Sequence, residues 1–232
     1  YGDFNFDWPN HVHTDKPVSS IPDLGLLNYS KSNDFNICNL EGPISKSNRK
    51  IKKTGLNLKQ TKKSIDLLNI LKISHVSLAN NHIMDYGTDG LKETIANLKK
   101  DEISFAGAGF TQKQLKEPII IIKENITIGI ICAAEDEFNN FDLFNAGTNK
   151  LDVIELHHQI SELNPKVDKL ILFLHGGIEH YKYPTIRQKR KYRCLIDLGV
   201  DCIIGSHSHC FQGFEKYNNG LIFYSLGNFY FN

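Results

Sequence analysis

The sequence predicts a layered α/β or mixed α+β fold, and three observations carry that expectation. Apolar runs of strand length alternate with segments of helical period. Five motifs rich in carboxylate, amide and imidazole groups each sit where a predicted strand gives way to a loop. The 232 residues show no internal repeat, low-complexity stretch or linker, so residues 1–232 are expected to form one domain.

The elements follow in order. Phe35 to Leu40 reads as a strand, and Leu58 to Leu71 as a helix with Leu58, Ile65, Leu68 and Leu71 on one face. Ile73 to Ala79 is a strand running into Asn80-Asn81-His82. Thr88 is placed to N-cap a helix through Lys100, with Leu91, Ile95 and Leu98 at helical spacing. Pro118 to Lys123 and Ile126 to Ala134 flank Glu124-Asn125 as an antiparallel hairpin. Leu151 to Leu163 reads as a helix, Lys169 to Leu174 as a strand ending at His175, and Thr185 to Leu198 as a helix. Cys202 to Gly205 is a short buried strand before Ser206-His207-Ser208-His209. Phe211 to Tyr217 and Leu221 to Leu226 form a second hairpin around Asn218-Asn219-Gly220.

Composition narrows the function classes. Lys and Arg number 27 against 26 Asp and Glu, and this balance argues against a general nucleic-acid binder, which needs a clustered basic excess. The longest apolar run, Ile126 to Ala134, is broken by Thr127 and Gly129 and falls far short of the ~18–20 residues of a membrane span. The segment is therefore expected to be soluble. It starts at Tyr1 rather than Met and stops soon after Phe229, so both ends are expected to be trimmed. The five cysteines, Cys38, Cys132, Cys194, Cys202 and Cys210, show no CxxC spacing and read as buried small hydrophobes, which leans toward a reducing, cytoplasmic setting. A chain of this length buries roughly 70% of its unfolded surface, so a bound metal is expected to be catalytic rather than structural.

The five strand-end motifs are Gly2-Asp3, Asn39-Leu40-Glu41-Gly42-Pro43, Asn80-Asn81-His82, His175-Gly176-Gly177 and Gly205-Ser206-His207-Ser208-His209. In layered α/β folds strand ends face one crevice, so residues far apart in sequence converge there. Carboxylate oxygen, amide oxygen and imidazole nitrogen suit a hard-to-borderline divalent metal. Taken singly, each has an ordinary structural reading: a turn carboxylate for Asp3 or Glu41, a hydrogen-bonded core histidine for His175 or His207. The basic run Lys46, Arg49, Lys50, Lys52 and Lys53 reads either as a solvated loop or as an anion-attracting rim.

The order of an Asp, an acidic Gly-flanked motif, an Asn-His, a lone His and a His-x-His resembles the ligand order of binuclear metallophosphoesterases. In detail the chain resembles the CapA family of capsule and poly-γ-glutamate biosynthesis proteins. The matching stretches are NLEGP (39–43), LANNHIMDYG (78–87), AGAG (106–109), HGGIE (175–179), IDLGVDCIIGSHSH (196–209) and YSLGNF (224–229). The resemblance implies a metallophosphoesterase-like four-layer αββα sandwich holding two divalent metal ions of the Mn, Fe or Zn kind. Carried over residue by residue, Asp3 would bind the first metal and Glu41 would bridge both. Asn81 and His175 would serve the second, His207 and His209 would complete the pair, and His82, binding no metal, would sit over the site as general acid or transition-state donor. Asn5 stands where the wider phosphoesterases carry a ligand His, and Gly176 where the family often has Trp. Asp85 and Glu179 are expected to orient ligand imidazoles, and Arg49, Lys50 and Lys52 to meet an anionic substrate.

The expected function is a metal-dependent hydrolase of phosphoester type, linked to capsule or poly-γ-glutamate synthesis. The alternatives are a non-enzymatic polymer-handling subunit of a capsule synthase and a metal-dependent amide hydrolase or transferase on poly-γ-glutamate. Expected partners are an anionic polymer or phosphoester substrate and capsule synthase membrane subunits. The resemblance points to the cell envelope, against the cytoplasmic alternative drawn from the free cysteines.

Overall fold

The computed structural model describes residues 1–5, 24–139 and 146–231. In chain order the first elements are β1 (Asp3–Asn5), α1 (Leu24–Ser32), β2 (Ile37–Leu40), α2 (Lys63–Ile70), β3 (His75–Ser77), α3 (Gly87–Lys100) and β4 (Ser104–Ala106). A central stretch follows: β5 (Ala108–Gly109), α4 (Gln112–Lys116), β6 (Ile119–Lys123), β7 (Ile126–Ala134) and β8 (Gly147–Thr148). The remainder is α5 (Val153–Leu163), β9 (Lys169–His175), α6 (Ile186–Asp197), β10 (Cys202–Ser206), β11 (Phe214–Tyr217), β12 (Gly220–Phe223) and β13 (Asn228–Phe231).

Two sheets result. The first has the order β13-β1-β2-β3-β4 with every neighbouring pair parallel. The second has the order β11-β12-β10-β9-β7-β6, a parallel centre with β11 and β6 antiparallel at its edges. Period-two alternation assigns each strand one face to the opposite sheet and one to helices. In β7, Ile130, Cys132 and Ala134 share a core with Phe173 of β9 and with Ile37 and Ala106 of the first sheet. The intervening Ile131 and Ala133 join Leu170, Leu172 and Leu174 beneath Leu156 and Ile160 of α5 and Tyr192 and Leu195 of α6. On the far side, Phe4, Cys38, Leu40 and Val76 pack with Ile65 and Leu68 of α2 and Leu91 and Leu98 of α3. The layers are therefore α, β, β, α, the expected sandwich.

Several expected elements shift. The helix expected from Leu58 begins at Lys63. Leu58 is buried in an extended stretch that bridges Gln60 to Ile44, and its N–H donates to Asp85. Thr88 lies inside the first turn of α3 and caps nothing, because tight turns from His82 to Gly87 feed directly into the helix. Phe211 stands outside β11, bridging Leu226, and the hairpin strands are shorter than expected. β1, β4, β5, β8, β13, α1 and α4 have no counterpart among the expected elements. Of the cysteines, Cys38 and Cys132 are buried and burial pushes both thiols up to about 12, whereas Cys194 is exposed and Cys202 and Cys210 are half-buried. Cys194 misses the core because α6 turns Tyr192, Leu195 and Ile196 inward instead. Among the described residues no helix is long and apolar enough to cross a membrane. His11 and His13 lie outside the described residues.

Candidate metal centre

Strand register builds the site. In the first sheet Asp3 pairs with Asn228 on one side and Asn39 on the other, and Asn39 with Ser77. In the second, Ser206 pairs with His175 and His175 with Ala134. Both rows lie at strand ends, and the residues just beyond them, Glu41, Asn81, Glu137 and His207, close over the gap between the sheets. Gly42 makes the turn after Glu41 at φ +94°, a conformation that a residue with a Cβ adopts only under strain. His207 and His209 also have left-handed backbones, at φ 98° and 56°. Such strain costs of order 1–3 kcal/mol per residue and clusters at functional sites. The His207 N–H is held by Asp3 Oδ2 at 3.0 Å.

Six of the expected ligands converge. Asp3 and Glu41 are 0% exposed, and donor atoms of Asp3, Glu41 and His175 all lie within 4.8 Å of one another. His175 Nε2 stands 3.0 Å from Asn81 Oδ1 and 3.1 Å from His207 Nδ1. His209 lies 3.7 Å from Asp3 Oδ2 through Nδ1 and 3.8 Å from Glu41 Oε1 through Nε2. Asn39, unassigned from sequence, links the sheets by donating to Asp3 Oδ1 at 2.9 Å and approaching His175 Nδ1 at 3.1 Å.

The electrostatics suit a cation. Burial alone would raise the Asp3 carboxyl, but the His175 and His209 rings and the His207 N–H outweigh it and hold Asp3 below the ordinary range. Burial, followed by the carboxylates of Asp3, Glu179 and Asp85, holds Glu41 well above it. Neither Glu41 oxygen has a hydrogen-bond partner among the described residues. Burial pushes His175 down, and burial together with the His175 ring pushes His207 down to about 4. Neutral imidazoles and an unpartnered buried carboxyl are what a divalent ion requires of its ligands, so the residues fit the implied metal.

The other expected residues separate into two groups. His82 lines an open cleft of about 620 Å³ beside the donors, together with Asn81, Glu179 and His209. Its Nδ1 is 2.7 Å from Asp85 Oδ2 and 3.0 Å from Lys53 Nζ. Asp85 thus holds His82 and not one of the expected ligand imidazoles, and its other oxygen pairs with Lys53 at 2.5 Å. Glu179 is exposed on the cleft wall and makes no hydrogen bond to a site imidazole among the described residues. Asn5 is buried and donates to the Glu41 carbonyl at 2.9 Å, so it steadies the backbone that carries Glu41. The basic rim is corrected: Arg49, 89% exposed, faces Asp89 at 3.8 Å, and Arg49, Lys50 and Lys52 do not line the cleft. Only Lys53 does, with its side chain 2% exposed, because the loop folds inward at that residue to reach Asp85.

The family described as bacterial capsule synthesis protein PGA_cap matches residues 2–232. The chain belongs to the PGA_cap family. It is 31% identical over 205 residues to the PGA biosynthesis protein CapA of Bacillus subtilis, covering 87% of this chain and 54% of that protein. It is 31% identical over 219 residues to the capsule biosynthesis protein CapA of Bacillus anthracis, covering 88% and 52%. The chain thus spans about half the length of these curated relatives. Among solved structures it resembles a phosphatase from Mycoplasma pneumoniae, with TM-score 0.57, 15% identity, and coverage of 90% of this chain and 66% of that one. A putative 5'-nucleotidase from Staphylococcus aureus gives TM-score 0.52 at 17% identity, covering 71% and 34%. At these identities the likeness is one of fold.

This PGA_cap chain also explains its own departure at Gly176. A Cβ there would come within 2.6 Å of Glu135 Cγ. Glu135 is fixed by Lys191 at 2.7 Å and by the Gly177 N–H at 3.0 Å, so it fills the space a side chain at 176 would need. Glu137, a further carboxylate beside the donors, stands outside every motif read from the sequence. It accepts from Asn81 Nδ2 at 3.0 Å and lies 3.8 Å from His207 Nε2.

Proposed function

We propose that this PGA_cap chain is a metal-dependent hydrolase of phosphoester type that acts in capsule or poly-γ-glutamate synthesis. The observation that carries the reading is Glu41, wholly buried with neither oxygen hydrogen-bonded among the described residues, beside the donor atoms of Asp3 and His175. Asp3, Glu41, Asn81, His175, His207 and His209 would hold two divalent ions of the Mn, Fe or Zn kind. When bound, such ions neutralise charge on the transferring group and activate water for in-line attack. The chain's residues supply the rest. Asp85 holds His82 by Nδ1, which leaves Nε2 as the ring atom to deliver a proton to the leaving oxygen. Lys53 keeps Asp85 paired, so the carboxylate stays aimed at the ring. Asn39 ties Asp3 to His175 across the two sheets.

The test is metal analysis of the purified protein with turnover of an aryl phosphate and an aryl phosphodiester. The expected outcome is bound Mn, Fe or Zn, loss of both metal and turnover in His207→Ala, and a 10²–10⁴-fold fall in kcat with metal retained in His82→Ala. A protein that takes up none of these metals and is indifferent to His207→Ala overturns the reading. Metal uptake without turnover of either ester would favour the polymer-handling alternative.

A further inference from the structure

We propose that Glu137 is the positioning carboxylate of the metal centre, setting the orientation of Asn81 and His207; this rests on the metal reading above. The loop after β7 reaches from the second sheet to the ligand-bearing loop of the first. Asn139, itself buried, donates to the Asn80 carbonyl and to the Glu135 carbonyl, both at 3.2 Å. Its Oδ1 accepts from the Glu137 N–H at 2.8 Å, which fixes the backbone of Glu137 against the loop that presents Asn81. Phe138 turns the chain at φ 53°, a conformation uncommon for a bulky residue.

From that anchor the Glu137 carboxylate meets two ligands from outside. A carboxylate accepts, so the Asn81 amide must present Nδ2 to Glu137 Oε2 at 3.0 Å, and Oδ1 then points the other way, 3.0 Å from His175 Nε2. An amide ligates through its oxygen, so Glu137 selects the ligating orientation. His207 is arranged alike: Nε2 faces Glu137 Oε1 at 3.8 Å while Nδ1 faces inward, 3.1 Å from His175 Nε2. The Asn81 contact is a hydrogen bond, whereas the His207 contact is too long for one and acts through the carboxylate charge facing Nε2. Losing an outer partner of a ligand costs about 10–100-fold in metal affinity.

The experiment titrates metal-free protein with Mn²⁺ and Zn²⁺ by calorimetry and records the visible absorption spectrum of the Co²⁺-loaded form. Glu137→Ala is expected to weaken affinity about 10–100-fold and alter the Co²⁺ spectrum at an unchanged metal-free melting temperature. Glu137→Gln keeps an acceptor for Asn81 and is expected to lose less, and it stands in if the alanine variant does not fold. Asp136→Asn is the control: it lies on the same loop and carries the same charge, but faces Lys150 at 3.5 Å. It should change affinity by less than about threefold, against the loss expected at Glu137. Wild-type affinity and spectrum in Glu137→Ala, with metal lost in His207→Ala, would overturn the proposal and leave the metal reading standing. Equal losses in Glu137→Ala and Asp136→Asn would reduce Glu137 to a charge effect and overturn the positioning role. No uptake by the wild-type chain would remove the metal reading and this inference with it.

Discussion

At Glu41 the fold buries an ionisable group and gives neither oxygen a hydrogen-bond partner among the described residues. An uncompensated buried carboxylate costs several kcal/mol even after relaxation, so the residue is poorly chosen for stability and well chosen for binding a cation. Glu41→Gln removes the ionisable group while keeping the shape. Urea unfolding in the presence of chelator should show the variant more stable than wild type by about 1–2 kcal/mol, the usual exchange of stability against function. Added metal should stabilise the variant less than the wild type. A Glu41→Gln protein less stable than wild type in chelator would mean that Glu41 is already satisfied without a cation. Residue identity also limited what could be read ahead. Lys53 belongs to a basic run in which all members look equivalent, and only its approach to Asp85 distinguishes it from the solvent-facing Lys50 and Lys52.

At the scale of elements, periodicity located the large pieces because their apolar faces are long. β7 and β9 alternate cleanly between two cores, and α5 turns Leu156, Ile160 and Leu163 to one side. The short strands escaped notice: β1 is the fully buried tripeptide Asp3-Phe4-Asn5, whose two polar residues serve the site rather than a hydrophobic pattern. Helix starts were less legible than helix bodies. Asp152 caps α5, accepting from the N–H groups of Ile154 at 2.9 Å and Glu155 at 3.1 Å. Asp152→Ala should therefore cost about 1 kcal/mol in denaturant unfolding, whereas Thr88→Ala, at the position expected from sequence to cap α3, should fall within about 0.5 kcal/mol of wild type. Equal effects would place a cap at Thr88 after all.

For the whole molecule, the consequence of the site's position is mechanical. Asp3 and Glu41 come from the first sheet and its following loop and His175 and His207 from the second, so an ion held there would join the two halves of the sandwich. A ligand that binds only the folded state stabilises it by about 2.7 kcal/mol at a hundred times its Kd. In a domain of this size that is a rise in Tm of about 5–10 °C. Differential scanning calorimetry of the metal-free protein with and without saturating Mn²⁺ or Zn²⁺ should show that rise, and chelator should reverse it. An unchanged Tm would mean that no ion spans the sheets.

The sequence by itself determined the layered class, the hairpin of β6 and β7, the family resemblance, and the residue types that meet at the centre. These depend on local periodicity and on short motifs, each complete within a few neighbouring residues. The tertiary structure alone decided which strands pair with β1, that Lys53 enters the cleft, and that Glu137 reaches Asn81 and His207. Those outcomes depend on register between distant segments: His207 meets Asp3 across 204 residues and Asn39 meets His175 across 136. Contacts at such separations are settled by how two sheets pack, which no local pattern in the chain encodes.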